Sequence, residues 1–216
     1  MFLELVDSLR CVRPHEDSWL IARADELVAR HIVEGELGCP ICEARYPVRD
    51  GVADFSNSGR TAAPTSAGPS AHDAQTLALR AAALLGLTEA GGLVVLAGEW
   101  SVCADALLDL VDGVQLLALD PAPGLQSGGA LSLALIPDVL PLAAASARGI
   151  AVDAAHATPS LLAGAARALA PGARLIAPAS ALVPDALQEL ARDDEHWVAA
   201  APRASVSAPV PIALRR

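Results

Sequence analysis

From Leu93 to Asp120 the apolar positions change period twice, in the order strand, glycine turn, helix, strand. Leu93 to Ala97 is an unbroken apolar run, and Gly98 marks a turn. Val102 to Val111 has helical spacing, and Gln115 to Leu119 is a second apolar run closed by Asp120. The alternation continues downstream. Ala130–Ile136 and Gly149–Val152 read as third and fourth strands, and Leu161–Leu169 as a helix stopped by Pro171-Gly172. Ala173–Ala177 reads as a fifth strand and Asp185–Ala191 as a helix. Trp197–Ala200 and Val210–Leu214 read as a closing antiparallel pair. Upstream, Asp73 can cap a helix that Gly86 ends after Leu85. Strands alternating with helices at this spacing predict a largely parallel α/β sheet with helices on both faces.

The first 55 residues follow a different pattern. Phe2, Leu3, Leu5, Val6 and Leu9 predict a short amphipathic helix to about Arg10. Trp19–Ala22 and His31–Leu37 read as strands, with Gly35 a candidate bulge. Gly38 to Cys42 is a tight knuckle, Tyr46-Pro47-Val48 begins a strand, and Asp50-Gly51 is a turn signal. Residues 56–71 are rich in Ser, Gly, Pro and Ala without apolar period and read as a flexible linker. The chain thus divides into 1–55, a linker 56–71, and 72–216.

Composition narrows the picture. Hydrophobic residues are 53% of the 216, but aromatics only 3%, so the core is built from Ala, Leu and Val. A formal charge of −10 argues against direct nucleic-acid binding through a broad basic face. No apolar run reaches the roughly 18 residues of a membrane span. MFLELVDSLR carries Glu4 and Asp7 and lacks the pattern of a secretory signal. A cytoplasmic protein is expected, and Cys11, Cys39, Cys42 and Cys103 are then not expected to form structural disulfides.

Three of these cysteines point to zinc. A C-x2-C pair, Cys39 and Cys42, can turn both thiolates towards one tetrahedral ion, and Cys11 is the natural third ligand. His15 is a candidate fourth, with Glu16, Asp17 and His31 as substitutes; the alternative is three buried thiols without metal. Cys103 reads as a small core residue.

Residues 1–55 resemble the small zinc-binding activator family of tRNA and release-factor methyltransferases, on LELVDSLRC, IVEGELGCPIC and YPVRDGVADF. The resemblance implies a zinc-stabilised platform that binds a methyltransferase subunit and does no chemistry itself. Pro14 stands where the family has a cysteine.

Residues 72–216 resemble class I S-adenosylmethionine-dependent methyltransferases, on LVVLAGE, LLALDPA, DVLPLAAASARGIAVDAAH and LLAGAARALAPGARLIAPA. This implies a Rossmann-like seven-stranded sheet with a reversed final strand, beside the small α+β zinc module. It implies cofactor contacts at Gly98 and at Asp120, the ribose acid; Asp120 can equally cap the turn before Pro121. Trp100 and Val102 stand where the family has further glycines. Leu96 and Ile136 replace two acids, for which Glu99 and Asp138 are the nearest substitutes. Trp100 either stacks on an adenine or, more in keeping with so tight a turn, fills the pocket. Asp153 and His156, after the fourth strand, fall where substrate or a general base is often held, or are a loop end without a role. The expected function is a methyltransferase-like protein with a degenerate S-adenosylmethionine site, acting through a protein partner or as a regulatory or scaffold subunit. An active methyltransferase is the alternative, and a zinc-dependent assembly module a third possibility.

Overall fold

The computed structural model describes residues 1–56 and 71–203. The N-terminal part holds a 3-10 turn, Leu3–Ser8, and four strands: β1 (Ile21–Val28), β2 (His31–Gly38), β3 (Arg45–Arg49) and β4 (Val52–Asp54). The helix α1 (Ala71–Leu85) leads into β5 (Leu93–Ala97), a 3-10 turn Gly98–Cys103, α2 (Ala104–Leu110) and β6 (Gln115–Leu119). Then come β7 (Leu131–Leu135), β8 (Ala147–Ala151), α3 (Pro159–Ala168), β9 (Leu169–Pro178), β10 (Gln188–Arg192) and β11 (His196–Ala200).

Among the described residues these eleven strands form one sheet, in the order β1-β2-β3-β4-β7-β6-β5-β8-β9-β11-β10. The strands β4, β7, β6, β5, β8 and β9 run parallel. The hairpin β10–β11 joins β9 through the antiparallel β11, and β1, β2 and β3 form an antiparallel meander at the other edge. The strands β5 to β11 follow the linker, and β11 runs opposite to the parallel set. Four further strands continue the same sheet from the N-terminal part.

The continuity is made by β4, which pairs with β7 in register Val52↔Leu133, Ala53↔Ala134 and Asp54↔Leu135. The flanking chain adds Phe55 N–H to the Leu135 carbonyl at 2.8 Å, Arg10 N–H to Pro141 at 3.0 Å and Ala143 N–H to Ser8 at 2.8 Å. A buried sheet edge would leave unpaired backbone groups, and β4 supplies partners for the outer edge of β7.

The unbroken apolar run of β5 is fully buried, as a central parallel strand requires. Its pleat divides the run between two cores. Leu93, Val95 and Ala97 join Leu117, Ile150, Leu161, Leu162 and Trp197, a core that extends to Leu5, Tyr46 and Phe55 of the N-terminal part. Val94 and Leu96 face the other way, against Ala81 and Leu85 of α1 and Leu107 of α2. Each fully buried Leu or Val contributes roughly 1.5–3 kcal/mol, so this period-2 division fixes the strand register. The helix α3 starts at a Thr158 cap, whose hydroxyl accepts the Leu161 N–H at 3.2 Å, followed by Pro159.

Several elements differ from the sequence expectation. Asp185–Ala191 has helix-forming composition, yet Gln188–Arg192 is strand β10, because pairing with β11 satisfies backbone that a helix would leave exposed at the sheet edge. The other candidate for that pairing, Val210–Leu214, lies outside the described residues, as does most of the linker. The N-terminal amphipathic segment is a 3-10 turn rather than an α-helix, and the helix expected from Val102 begins as a 3-10 turn at Gly98. The strand expected at Trp19–Ala22 runs instead from Ile21 to Val28 and carries a register shift opposite Gly35. The helix α3 ends at Ala168, ahead of Pro171-Gly172, and β9 begins at Leu169 rather than at the expected Ala173. No helix among the described residues is long and apolar enough to cross a membrane.

Candidate functional site

Two clusters of polar side chains stand out. In the first, ligand atoms of Cys11, His15, Cys39 and Cys42 all lie within 4.8 Å of one another. The knuckle after β2 brings Cys39 and Cys42 together, and Cys11 arrives from the chain after the first 3-10 turn. Cys11 Sγ is 3.6 Å from Cys42 Sγ, and Cys39 Sγ is 3.5 Å from His15 Nε2. Ligands about 2.3 Å from a tetrahedral zinc stand about 3.8 Å apart, so these spacings suit such an ion. His15 Nδ1 is 2.6 Å from the Glu16 carbonyl. Donation to that carbonyl leaves the Nε2 lone pair facing the sulfurs, as ligating histidines are commonly oriented.

The electrostatics of the thiols differ within the cluster. Burial by itself raises the Cys39 pKa, but the backbone amides of Cys42 and Ile41 and the Ser18 side chain stabilise its thiolate and bring it down to about 6. Burial pushes the Cys11 thiol up, opposed by Tyr46, whose hydroxyl lies 3.1 Å from the sulfur. Of the alternative fourth ligands, His31 is held at 2.8 Å by the Gly129 carbonyl and Asp17 pairs with Arg167 at 3.6 Å. His15 is the one that reaches the cluster. The donors fit zinc, and Tyr46 is a participant that the spacing of Cys and His could not reveal.

The second cluster lies at the carboxyl ends of β5, β6 and β8. The strand order reverses between β5 and β8, and crevices at such a reversal are the usual ligand sites of parallel sheets. Gly98 turns the chain after β5 with φ +59°, and Asp120 turns it after β6 with φ +43°. The loop that follows β8 meets both turns. A Cβ placed on Gly98 would stand 2.0 Å from Asp153 Oδ2 and 2.8 Å from His156 Nδ1. Asp153 Oδ2 accepts the Glu99 N–H at 2.9 Å. His156 Nδ1 lies 2.6 Å from Asp153 Oδ1, and its Nε2 lies 3.1 Å from Asp120 Oδ2.

His156 therefore bridges two carboxylates. The hydrogen bond to Asp120, then that to Asp153, outweighs burial and raises its pKa to about 9, so the ring is an imidazolium at neutral pH. Burial works against the Asp153 carboxylate, but His156 and the Glu99 amide more than offset it and hold its pKa below the usual value. Asp120 Oδ1 is buried with no hydrogen-bond partner among the described residues.

The remaining sequence candidates fall into place around this core. Glu99 contributes its backbone amide, while its side chain is exposed. Asp138 is exposed and accepts a hydrogen bond from Thr158, the α3 cap. Trp100 does not fill the crevice: it is buried with Ala78, Ala81 and Leu107 in the core on the α1–α2 side, its ring edge-on to His196 at 5.3 Å. Its burial depends on packing against α1 and α2, which the sequence could not show. Cys103 is fully buried in that same core, and burial pushes its thiol up to about 12. Ser101, which the sequence reading passed over, is fully buried. Its hydroxyl donates to the Gly98 carbonyl at 2.6 Å and accepts the Ala122 N–H at 2.8 Å, tying the two turns together.

Comparison with protein-family profiles finds no match, and no curated protein matches. Among solved structures, the chain is similar to one from the complex between the Haloferax volcanii Trm112 methyltransferase activator and a proposed methyltransferase. The identity is 22% and the TM-score 0.36, over 50% of this chain and 56% of that one. The chain thus spans about half the length of that relative, and similarity of this degree assigns neither activity nor partner.

Proposed function

We propose that this protein is a methyltransferase-like scaffold whose cofactor crevice is closed, fused to its own zinc platform, and that it acts by binding a protein partner. The observation that carries this reading is the loop after β8. Asp153 stands against Gly98, and His156 holds Asp120, the two positions at which the sequence resemblance implies S-adenosylmethionine contacts. The residues present do not fit that cofactor in this arrangement. The seven strands from β5 to β11 with β11 reversed support the fold assignment for 72–216, and the Cys3His cluster supports the zinc assignment for 1–55. Trp19 and Ile21, 63% and 64% exposed, and the half-exposed Ile41 on the knuckle give a protein partner apolar surface to cover. Calorimetric titration with S-adenosylmethionine tests the reading: no binding at millimolar ligand is expected, and clear micromolar binding overturns it.

One observation favours a second reading, an active S-adenosylmethionine-dependent methyltransferase. Gly98 and Asp120 keep their places at adjacent strand ends, and Asp120 Oδ1 is buried without a partner among the described residues, as if awaiting a donor. Transfer of labelled methyl groups to cell-extract components, abolished by Asp120→Ala, would establish it.

A further inference from the structure

In a parallel sheet with a glycine turn after the first strand, the amides past that turn hold the anionic group of a nucleotide ligand, and an acid some twenty residues further on holds its ribose hydroxyls. Here both contacts are already used within the chain. The Glu99 amide is taken by Asp153, and one oxygen of Asp120 by His156. The other Asp120 oxygen is buried and unpartnered among the described residues. A carboxylate that meets a vicinal diol accepts two hydrogen bonds; His156 supplies one and leaves the second unmet. Trp100, the bulky residue of the turn, points into the opposite core.

We propose that the loop after β8 is the crevice's own ligand: Asp153 and His156 occupy in cis the places of a vicinal-diol nucleoside, and His156 is the side chain whose removal readmits one. This rests on the closed-crevice reading above and goes further, because it names the ligand class the loop replaces and the one side chain whose removal readmits it. The turn after β5 is not itself the obstacle. Its glycine survives with the positive φ such a turn needs, and a shorter side chain at position 156 uncovers Asp120 without altering the strands.

The test compares the full-length wild-type chain with His156→Ala, Asp153→Ala and the double variant His156→Ala/Asp120→Asn. Adenosine, 2′-deoxyadenosine and S-adenosylmethionine are titrated calorimetrically at pH 7. Wild type binds none of them. His156→Ala binds adenosine at least about tenfold more tightly than the weakest binding the titration detects and more tightly than 2′-deoxyadenosine, and Asp120→Asn erases the gain. If folded His156→Ala and Asp153→Ala variants bind no better than wild type, the plug assignment falls while the closed-crevice reading stands. If wild type itself binds S-adenosylmethionine at micromolar concentration, the closed-crevice reading falls. A nitrogen-15 spectrum of the wild-type imidazoles reads the contact independently of variant folding. His156 protonated on both nitrogens at pH 7.5, and titrating lower in Asp120→Asn, supports the plug; a neutral His156 at that pH overturns it.

Discussion

The carboxylate of Asp153 stands where a side chain on residue 98 would have to be, with Oδ2 2.0 Å from a Cβ built on Gly98. Gly98 also has φ +59°. Two independent constraints therefore require glycine there, one of backbone conformation and one of space. Gly98→Ala is expected to lower stability by about 2–4 kcal/mol, as strain at a positive φ adds to the displacement of Asp153. Urea unfolding followed by circular dichroism measures it. Gly129 is the control: it also has a positive φ, but a Cβ there meets nothing within 4 Å, so Gly129→Ala carries the backbone strain alone.

The His156 bridge makes stability fall on the alkaline side. The folded pKa, about 9, lies above the ordinary 6.5. Its contribution is therefore complete below the ordinary value and is lost as pH rises through 9. The side chain is 17% exposed, and the expected loss between pH 6.5 and 9.5 is on the order of 2–3 kcal/mol. Asp153 acts with the opposite sign: its pKa is lowered, so its contribution is lost as the solution is made acid. Unfolding free energies of wild type and His156→Gln across this range isolate the histidine, because the variant lacks the alkaline decline attributable to it.

Trp100 is a core residue on the α1–α2 side. Trp100→Ala is expected to cost about 3–5 kcal/mol of stability through the cavity it leaves. Trp100→Phe retains most of the packing and costs less. Neither is expected to create nucleoside binding, and a Trp100→Phe variant that binds adenosine would return this side chain to the crevice.

Zinc analysis of the purified protein by plasma mass spectrometry is expected to find one ion per chain, absent from Cys39→Ser/Cys42→Ser. His15→Ala weakens zinc retention during competition with a chelator. Tyr46→Phe removes the hydroxyl beside Cys11 and lowers affinity by about tenfold without removing a ligand. Full zinc affinity in His15→Ala would mean that another residue completes the site.

Much of this architecture was legible in local pattern. The run Leu93–Ala97, too short for a helix and closed by Gly98, read as a strand buried on both faces, and the helical spacing after it and the run Gln115–Leu119 followed in turn. The knuckle cysteines were legible because C-x2-C is a local geometry and Cys11 because it is the one other cysteine nearby in the N-terminal part, whereas His15 was one of four candidates and only the folded chain brings it to the cluster. The strand Gln188–Arg192 was not legible, since its sequence favours a helix and only the unpaired edge of β11 makes it extended.

By itself the sequence determined most of the alternation of strands and helices, three cysteines of a candidate metal site with the fourth ligand left open, and the two residues, Gly98 and Asp120, at the ends of β5 and β6. These rest on periods and spacings within a few turns of chain. Tertiary structure alone decided that β4 completes the edge of β7, that Trp100 belongs to the α1–α2 core, and that Asp153 meets Gly98 and His156 meets Asp120. Each of these depends on which strands lie side by side. Asp153 is 54 residues from Glu99, and His156 is 36 residues from Asp120. No local pattern sets those distances; the placement of β8 beside β5 does.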